Sequence, residues 1–516
     1  MRALALLLLA ARVWAADLAA GLNSINMRNV RADVEFLASG ALEGRLSLRR
    51  GADAAAEFVA AEFLKAGLQP AAGHSFLQAV PLVEYRVDRG LTTLTVNGKA
   101  RRYGSEFSTS FAMETTVSGP VVFAGYGITA PEFRYDDYAG LDARGKIVLV
   151  FDHEPQENNP DSVFNGRGNT RYASTLVKLW NAEKHGALAV LVAAEPGRNH
   201  PTVQERMARV PGGAVRARTL APQALAEPLA RIPSVTIADS VLNDLLAGTG
   251  QTAAALQKSI DAALKPASMA LPGSSLRLNI ALAERRRADS FNVVGMLEGS
   301  HPQLKNESVL FTAHYDHDGA WDGEIRPGAD DNASGTAGII ELARAYARNK
   351  ERPRRTLVFV ATAAEERGLL GAYAYTQHPP RPLAATRAVI NFDMIGRNEA
   401  PSKQTEGLVE VSADTSNELN LIGTIDYPEY RKLVEKENRE IGLRLNYKFD
   451  ADAALNVIQR SDQFPFMLHK VPAVWWFTGF HPEYHQVSDS AEKLNYVKME
   501  KILKLAYLTG WRFADE

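Results

Sequence analysis

The sequence of 516 residues contains no cysteine. Disulfide bonds, cysteine-ligated zinc, iron–sulfur clusters and a thiol nucleophile are therefore all excluded, and any metal site must be built from His, Asp and Glu. Neither sign of charge is in excess, since 58 Lys and Arg residues face 60 Asp and Glu residues. This balance gives no electrostatic reason to expect nucleic acid as a partner.

Long apolar runs are also lacking after the first residues, so the sequence predicts no membrane-spanning helix. Residues 1–15 combine Arg2, a short apolar run and small residues near Ala15, a pattern typical of a secretory signal peptide. We therefore expect an exported protein, in the periplasm or outside the cell. The apolar fraction of 46% and the charged fraction of 23% are those of a folded globular chain.

The strand and helix patterns predict two domains, one inserted into the other. From about residue 288 onward, continuous apolar strands alternate with helices, which predicts an α/β domain with a mixed, mostly parallel sheet flanked by helices. We assign this domain to residues 16–115 and 275–516, interrupted by a β-rich insert at 116–274. Within the insert, residues 195–232 are rich in Pro, Arg, Gly and Ala, which predicts an exposed, irregular segment.

Histidine and carboxylate side chains follow successive predicted strands in the C-terminal half. These residues are His314, Asp316, His317, Asp330, Asp331, Glu365, Glu366, Asp393 and His485. Because the carboxyl ends of parallel strands meet at one edge of a sheet, we expect these side chains to converge there. A pair of divalent ions needs a bridging carboxylate and further His and carboxylate ligands, and this set supplies them. Zinc is the first choice, with Mn, Co and Fe as alternatives.

The same segments resemble the M28 family of co-catalytic zinc aminopeptidases. The family hallmarks occur in family order at residues 314–316, 328–335, 365–371, 391–397 and 484–489. The β-rich middle resembles the protease-associated (PA) domain often inserted in this family, through residues 121–128, 136–140 and 145–150. The resemblance implies a zinc aminopeptidase fold that takes two Zn²⁺ ions per chain. It also implies substrates that are peptides or small proteins with a free N-terminus.

Carried over position by position, the resemblance implies five metal ligands. They are His314 and Asp393 on one ion, Glu366 and His485 on the other, and Asp331 as the bridge between them. Glu365 would be the general base, which takes a proton from the water between the ions and passes it to the leaving amine.

The resemblance also implies three supporting roles. Asp316 would orient His314 and raise its basicity. Tyr484 would contact the developing oxyanion, and Asp489 would support the loop that carries His485.

Other candidates are predicted to have structural roles. We expect His317 to be a structural or rim residue, and His469 and His481 to be loop or packing residues. The spacing to the following Ser-Gly pair favours Asp331 over Asp330 as the bridge. Gln463 stands where the family pattern leads us to expect His, which weakens a substrate-contact role at that position.

Alternatives to the aminopeptidase remain open at this point. One is acyl transfer like that of glutaminyl cyclases, which resemble this fold but use a single zinc. Another is a binding or receptor-like module without catalysis. Within the peptidases, carboxypeptidase activity or release of dipeptides is also open. The sequence predicts neither the side-chain preference nor the oligomeric state.

Overall fold

The computed structural model describes residues 18–71 and 73–516, so the predicted signal peptide at residues 1–15 lies outside the described residues. The largest element in this part of the chain is a ten-stranded sheet. In order across the sheet its strands are Gln223–Leu225, Leu77–Val87, Leu282–Leu297, Thr356–Thr362, Ser308–His314, Thr386–Phe392, Ala473–Phe477, Glu418–Ile422 and Arg444–Asn446, and Gln69–Pro70 pairs beside Leu282–Leu297. The four middle strands, Thr356–Thr362 to Ala473–Phe477, run parallel, and antiparallel pairs flank them on both sides. The predicted α/β fold with a mixed sheet is confirmed.

Helices cover both faces of this sheet. The strand Ser308–His314 is buried along its whole length, and its alternate residues pack into different cores. Val309 and Phe311 lie in one core with the helix Tyr496–Asp515, and Leu310 lies in another with Phe466. This two-sided burial explains why the strand is a continuous apolar run.

The helices of this part are residues 18–24, Met27–Leu37, Arg50–Lys65, Gly335–Ala347, Leu370–Gln377, Pro428–Ile441, Gln463–Leu468 and Tyr496–Asp515. Asparagine precedes two of them. The side chains of Asn26 and Asn495 each accept a hydrogen bond from a backbone N–H of the first turn that follows. No helix among the residues that the structure describes has both the length and the apolar character needed to cross a bilayer.

Smaller sheets form the middle of the chain. One contains Met269–Ala270, Val121–Phe123, Ile147–Phe151, Ala189–Ala193, Ser234–Ile237 and Phe107–Ser108; the other contains Lys99–Arg101, Thr93–Val96, Leu276–Ile280 and Thr115–Gly119. Short two-stranded pairs join Thr129–Ala130 to Tyr135–Asp136 and Ala320–Trp321 to Glu324–Ile325. The helices here are Thr175–Lys184, Val203–Arg209, Gly213–Thr219, Asp239–Leu246 and Ala253–Ala263.

The segment 195–232 is more ordered than its composition predicts. It contains two short helices, and its strand Gln223–Leu225 pairs with Leu82–Glu84 of the large sheet. The expectation of an irregular segment was wrong because tertiary pairing, not local propensity, orders these residues. The insert therefore returns to the large sheet before it ends.

Candidate active site

The five predicted metal ligands converge at the carboxyl edge of the parallel strands. One carboxylate oxygen of Asp331 lies 3.4 Å from Nε2 of His314, and its other oxygen lies 3.4 Å from Nε2 of His485. Asp393 Oδ1 also lies 3.4 Å from the His314 Nε2. Glu366 Oε2 lies 3.6 Å from the His485 Nε2. Asp331 thus stands between two pairs of donors, each made of one imidazole and one carboxylate.

The two imidazoles turn their Nε2 atoms toward these carboxylates. Nδ1 of His314 lies 3.2 Å from the carbonyl oxygen of Asp316, and Nδ1 of His485 lies 2.7 Å from Asp318 Oδ2. With the proton assigned to Nδ1, each Nε2 carries a lone pair. Within the described residues, Nε2 of His314 is buried without a hydrogen-bond partner. Imidazole nitrogens with lone pairs and carboxylate oxygens that face each other need a cation between them. These side chains therefore fit divalent metal ions.

The charges around the site favour positive charge at its centre. Burial lowers the pKa of His314, but the carboxylates of Glu365 and Asp393 outweigh it and raise that pKa well above its usual range. Burial raises the pKa of Glu366, but the imidazoles of His485 and His317 outweigh it and hold that pKa well below normal. The site therefore attracts either protons or a metal cation.

Glu365 lies beside the candidate ligands, but its carboxylate is farther from the His314 ring than those of Asp331 and Asp393. Its Oε2 is 3.8 Å from Nε2 of His314, and burial raises its pKa well above the usual range, with Asp393 adding to the effect. The short helix Glu365–Arg367 follows directly on a buried strand. A carboxyl group with a raised pKa at this position is suited to accepting a proton.

Asp316 acts mainly on the turn that carries the two glutamates. Its carboxylate accepts hydrogen bonds from the backbone N–H of Glu365 at 3.0 Å and of Glu366 at 3.4 Å. The same carboxylate lies 3.8 Å from Nδ1 of His314, whereas the Asp316 carbonyl oxygen makes the closer contact described above. The predicted orientation of His314 therefore runs through the backbone of Asp316.

The loop of Asp331 is closely packed. Gly328 has φ of +56°, and a Cβ at this position would lie 2.1 Å from the carbonyl oxygen of Asp331 and 2.5 Å from the His317 ring, so only glycine fits. The carboxylate of Asp489 accepts a hydrogen bond from the backbone N–H of Asp331 at 3.2 Å. Asp489 thereby ties the loop that carries His485 to the loop that carries Asp331.

His317 and Asp318, for which the sequence predicts no ligand or catalytic role, also lie at the site. His317 is fully buried, with Nδ1 2.8 Å from Glu366 Oε1 and 3.9 Å from Asp331 Oδ2. It is therefore not a rim residue, and it could serve as a further ligand. Asp318 holds the ring of His485. Both follow Asp316 in the same polar run, but spacing alone does not show which side chain of such a run faces the site.

The insert also contributes a charge. Nη2 of Arg216, on the helix Gly213–Thr219, lies 2.9 Å from Glu366 Oε2 and 2.5 Å from Asp318 Oδ1. This side chain is only 15% exposed, which again differs from the exposed segment predicted there. No local pattern could have identified it, because Glu366 is 150 positions away along the chain.

Tyr484 lines the small cavity over the site. The cavity is also lined by Asp331, Glu365, Glu366 and Asp393. The Tyr484 hydroxyl lies 3.3 Å from Nη2 of Arg460. The tyrosine is therefore adjacent to the candidate ligands.

Neighbouring candidates have other partners. Asp330 Oδ1 accepts a hydrogen bond from the backbone N–H of Gly396, and its Oδ2 lies 3.2 Å from Nε2 of His481. Gln463 is buried and donates to the carbonyl oxygen of Ile458. These contacts agree with packing roles for the three side chains.

A buried arginine joins the loops of the site. The Arg45 guanidinium donates to the carbonyl oxygens of Leu37, Tyr315, Pro327 and Gly328, at 2.5–2.9 Å. Tyr315 and Gly328 flank the segments that carry His314 and Asp331. Arg45 therefore fixes the spacing between these two segments.

We expect Arg45→Met to lower the free energy of unfolding by at least ~3 kcal/mol, because each buried carbonyl left without a donor costs roughly 1–3 kcal/mol. Denaturant unfolding followed by circular dichroism measures this change. Arg50→Met is the matched control, since Arg50 is exposed. Equal stability of the two variants would contradict this role for Arg45.

Two stretches of the chain match known protein families. Residues 292–509 match the model of Peptidase family M28, and residues 117–222 match the model of the PA domain. The chain is 35% identical over 151 residues to a probable zinc metalloprotease of Pyrenophora teres f. teres, covering 26% of this chain and 31% of that protein. It is 35% identical over 113 residues to an aminopeptidase of Pseudomonas aeruginosa, covering 22% of this chain and 19% of that protein.

A solved structure extends the likeness over the whole fold. The aminopeptidase from Aneurinibacillus sp. strain AM-1 aligns with a TM-score of 0.51 and 19% identity, covering 96% of each chain. The C-terminal segment is thus an M28 peptidase domain and the middle segment a PA domain, and the resemblance found in the sequence is confirmed. The chain spans less than two thirds of the length of the curated relatives that it matches first.

Proposed function

We propose that the protein is an exported metallo-aminopeptidase that holds two zinc ions per chain and removes N-terminal residues from peptides or small proteins. The observation that carries this proposal is the position of Asp331, whose two oxygens each face a different histidine–carboxylate pair. The proposed ligands are His314, Asp331, Glu366, Asp393 and His485. Nε2 of His314 is buried without a hydrogen-bond partner, and the arrangement of the five side chains fits a pair of divalent cations.

When bound, the two ions would lower the pKa of a water molecule and polarise the scissile carbonyl. Among the protein side chains, Glu365 carries out the proton transfer. Its carboxylate accepts a proton from the attacking water and donates it to the nitrogen of the leaving amine. Tyr484, in the wall of the cavity, donates a hydrogen bond from its hydroxyl to the oxyanion that develops on the substrate. Asp316 and Asp318 hold the Glu365 turn and the His485 ring in place.

Aminoacyl reporter substrates test the proposal directly. We expect hydrolysis of free aminoacyl reporters, little or no hydrolysis of their N-blocked versions, and loss of activity with a chelator that added Zn²⁺ restores. Equal rates on blocked and free substrates would overturn the aminopeptidase assignment. Resistance to the chelator would overturn the dependence on metal.

Two rival functions predict different results. Acyl transfer like that of glutaminyl cyclases would need only one zinc in the site and would cyclise N-terminal glutamine, whereas a binding module would show no turnover. The filled set of five ligands and the base at Glu365 favour hydrolysis over both. Carboxypeptidase activity would appear in the same panel as cleavage of N-blocked substrates. Dipeptide release would appear as cleavage of longer substrates.

We further propose the division of the chain into a peptidase domain, residues 16–115 and 275–516, and a PA-like insert, residues 116–274. The two cores support it, since the strands of the large sheet and those around Ile147–Phe151 contribute to separate clusters. A few short strands cross the division, among them Phe107–Ser108, which pairs with Ser234–Ile237 of the insert. Export follows from the signal-peptide pattern and is tested by sequencing the N-terminus of the mature protein.

A further inference from the structure

A second group of histidine and glutamate side chains lies on the smaller sheet, outside the candidate active site. It consists of His153, Glu157, Glu195 and His200, and each offers a donor atom within 4.8 Å of the others. The strands Ile147–Phe151 and Ala189–Ala193 run parallel, with their last residues paired. His153 and Glu195 each follow two residues after these ends, so parallel pairing brings the two loops side by side.

The four side chains are in direct contact and almost fully buried. Nδ1 of His153 lies 2.5 Å from Glu157 Oε1, and Nε2 of His200 lies 2.9 Å from Glu157 Oε2 and 2.5 Å from Glu195 Oε1. None of the four side chains is more than 7% exposed. The Glu157 carboxylate therefore joins both imidazoles in a buried, polar pocket.

One oxygen of this group lacks a partner. Within the described residues, Oε2 of Glu195 makes no hydrogen bond. Because the Glu195 side chain is only 3% exposed, this oxygen is also shielded from solvent. Nδ1 of His200 lies 3.2 Å from the carbonyl oxygen of Pro201. With the ring proton on that Nδ1, Nε2 faces two carboxylates with a lone pair, as in a metal-binding histidine. Without a metal, burial lowers the pKa of His200, but Glu157 and Glu195 outweigh it and raise that pKa to about 10, so a protonated ring is the competing state. A cation in the pocket would satisfy the Glu195 oxygen as well.

Stacking of the two imidazole rings opposes a proton on both of them at once. The His153 and His200 rings are parallel, with centroids 3.8 Å apart and an interplanar angle of 6°. Protons on both rings would place two like charges in contact, whereas a divalent cation lets both rings stay neutral. Two carboxylates balance the charge of such an ion. Two neighbouring charged residues have other partners. Lys178 donates to the carbonyl oxygen of His153 at 2.5 Å, and the Glu154 carboxylate accepts a hydrogen bond from the backbone N–H of Thr170.

We propose that His153, Glu157, Glu195 and His200 bind a further divalent transition-metal ion of the zinc type, in a structural site of the PA domain. Imidazole donors favour zinc-type ions over Mg²⁺ and Ca²⁺, which prefer oxygen ligands throughout. Four protein ligands in a buried pocket are typical of a closed structural site rather than a catalytic one. The ion joins the loops after two neighbouring strands.

Metal analysis of the purified full-length chain tests this site. With ZnCl₂ supplied and excess removed, we expect three zinc ions per chain in the wild-type protein and two in His200→Gln and in Glu195→Gln. His185→Gln is the matched control, because His185 lies in the same domain and stacks on Tyr138 instead; it should retain three. The His200→Gln and Glu195→Gln variants should also melt at a lower temperature than the control.

The result separates this site from the proposed active site. Asp331→Asn should keep one zinc, whether or not the protein hydrolyses peptides. An unchanged zinc content in a folded His200→Gln variant would overturn the proposal. If both variants fail to fold, anomalous diffraction at the zinc edge from wild-type crystals decides. An anomalous difference peak among the four side chains supports the site. Its absence overturns the proposal and indicates a protonated ion-pair network instead.

Discussion

Glu365→Gln is expected to lower kcat by roughly 10²–10⁴-fold while the zinc content stays at the wild-type value. The amide of Gln has nearly the same shape as the carboxylate but cannot accept the proton from water. Glu365 Oε2 lies 3.8 Å from Nε2 of His314, whereas oxygens of Asp331 and Asp393 lie 3.4 Å from it, so the proposed ligand set does not include Glu365. Initial rates on a free aminoacyl reporter, together with metal analysis by mass spectrometry, measure both effects.

Glu410→Gln serves as the control, because Glu410 is exposed and lies outside the site. It should keep wild-type activity. Retained turnover in Glu365→Gln would remove Glu365 from its role as base. A parallel loss of zinc would show instead that Glu365 is a ligand.

Asp331→Asn is expected to remove both ions of the active site and with them all measurable hydrolysis. The two oxygens of Asp331 face His314 and His485 respectively, so its replacement withdraws a ligand from each ion at once. The neutral amide also leaves less negative charge to balance two divalent cations. We expect the zinc content to fall by two ions per chain, which metal analysis measures.

Asp322→Asn is a matched control from the neighbouring segment, since Asp322 is exposed and has a φ of +57° that Asn tolerates. It should retain zinc and activity. Loss of only one zinc in Asp331→Asn would show that Asp331 binds a single ion and does not bridge two.

The position of the candidate site could be predicted from the sequence because its residues follow buried strands. Parallel pairing places the ends of Ser308–His314, Thr356–Thr362 and Thr386–Phe392 at one edge, and His314, Glu365 and Asp393 lie at or just beyond those ends. The apolar runs that predict the strands also predict the convergence of the polar residues after them.

Side chains that reach the site from distant segments could not be predicted. Arg216 and Arg45 meet their partners across about 150 and 280 positions of the chain, so no periodicity or spacing connects them. His317 lies inside the predicted run, but its burial depends on the packing of Gly328 against its ring. The His–Glu pocket of the PA domain could not be predicted either, because its four residues come from two separate loops.

The contact of Arg216 with Glu366 has a consequence for how the two modules can be exchanged in evolution. A peptidase domain without this insert would keep the buried carboxylates of Asp318 and Glu366 but lose their guanidinium counter-charge. It would also lose the strand Gln223–Leu225 from the edge of its sheet. A different PA domain at this position would have to supply both the guanidinium and the edge strand.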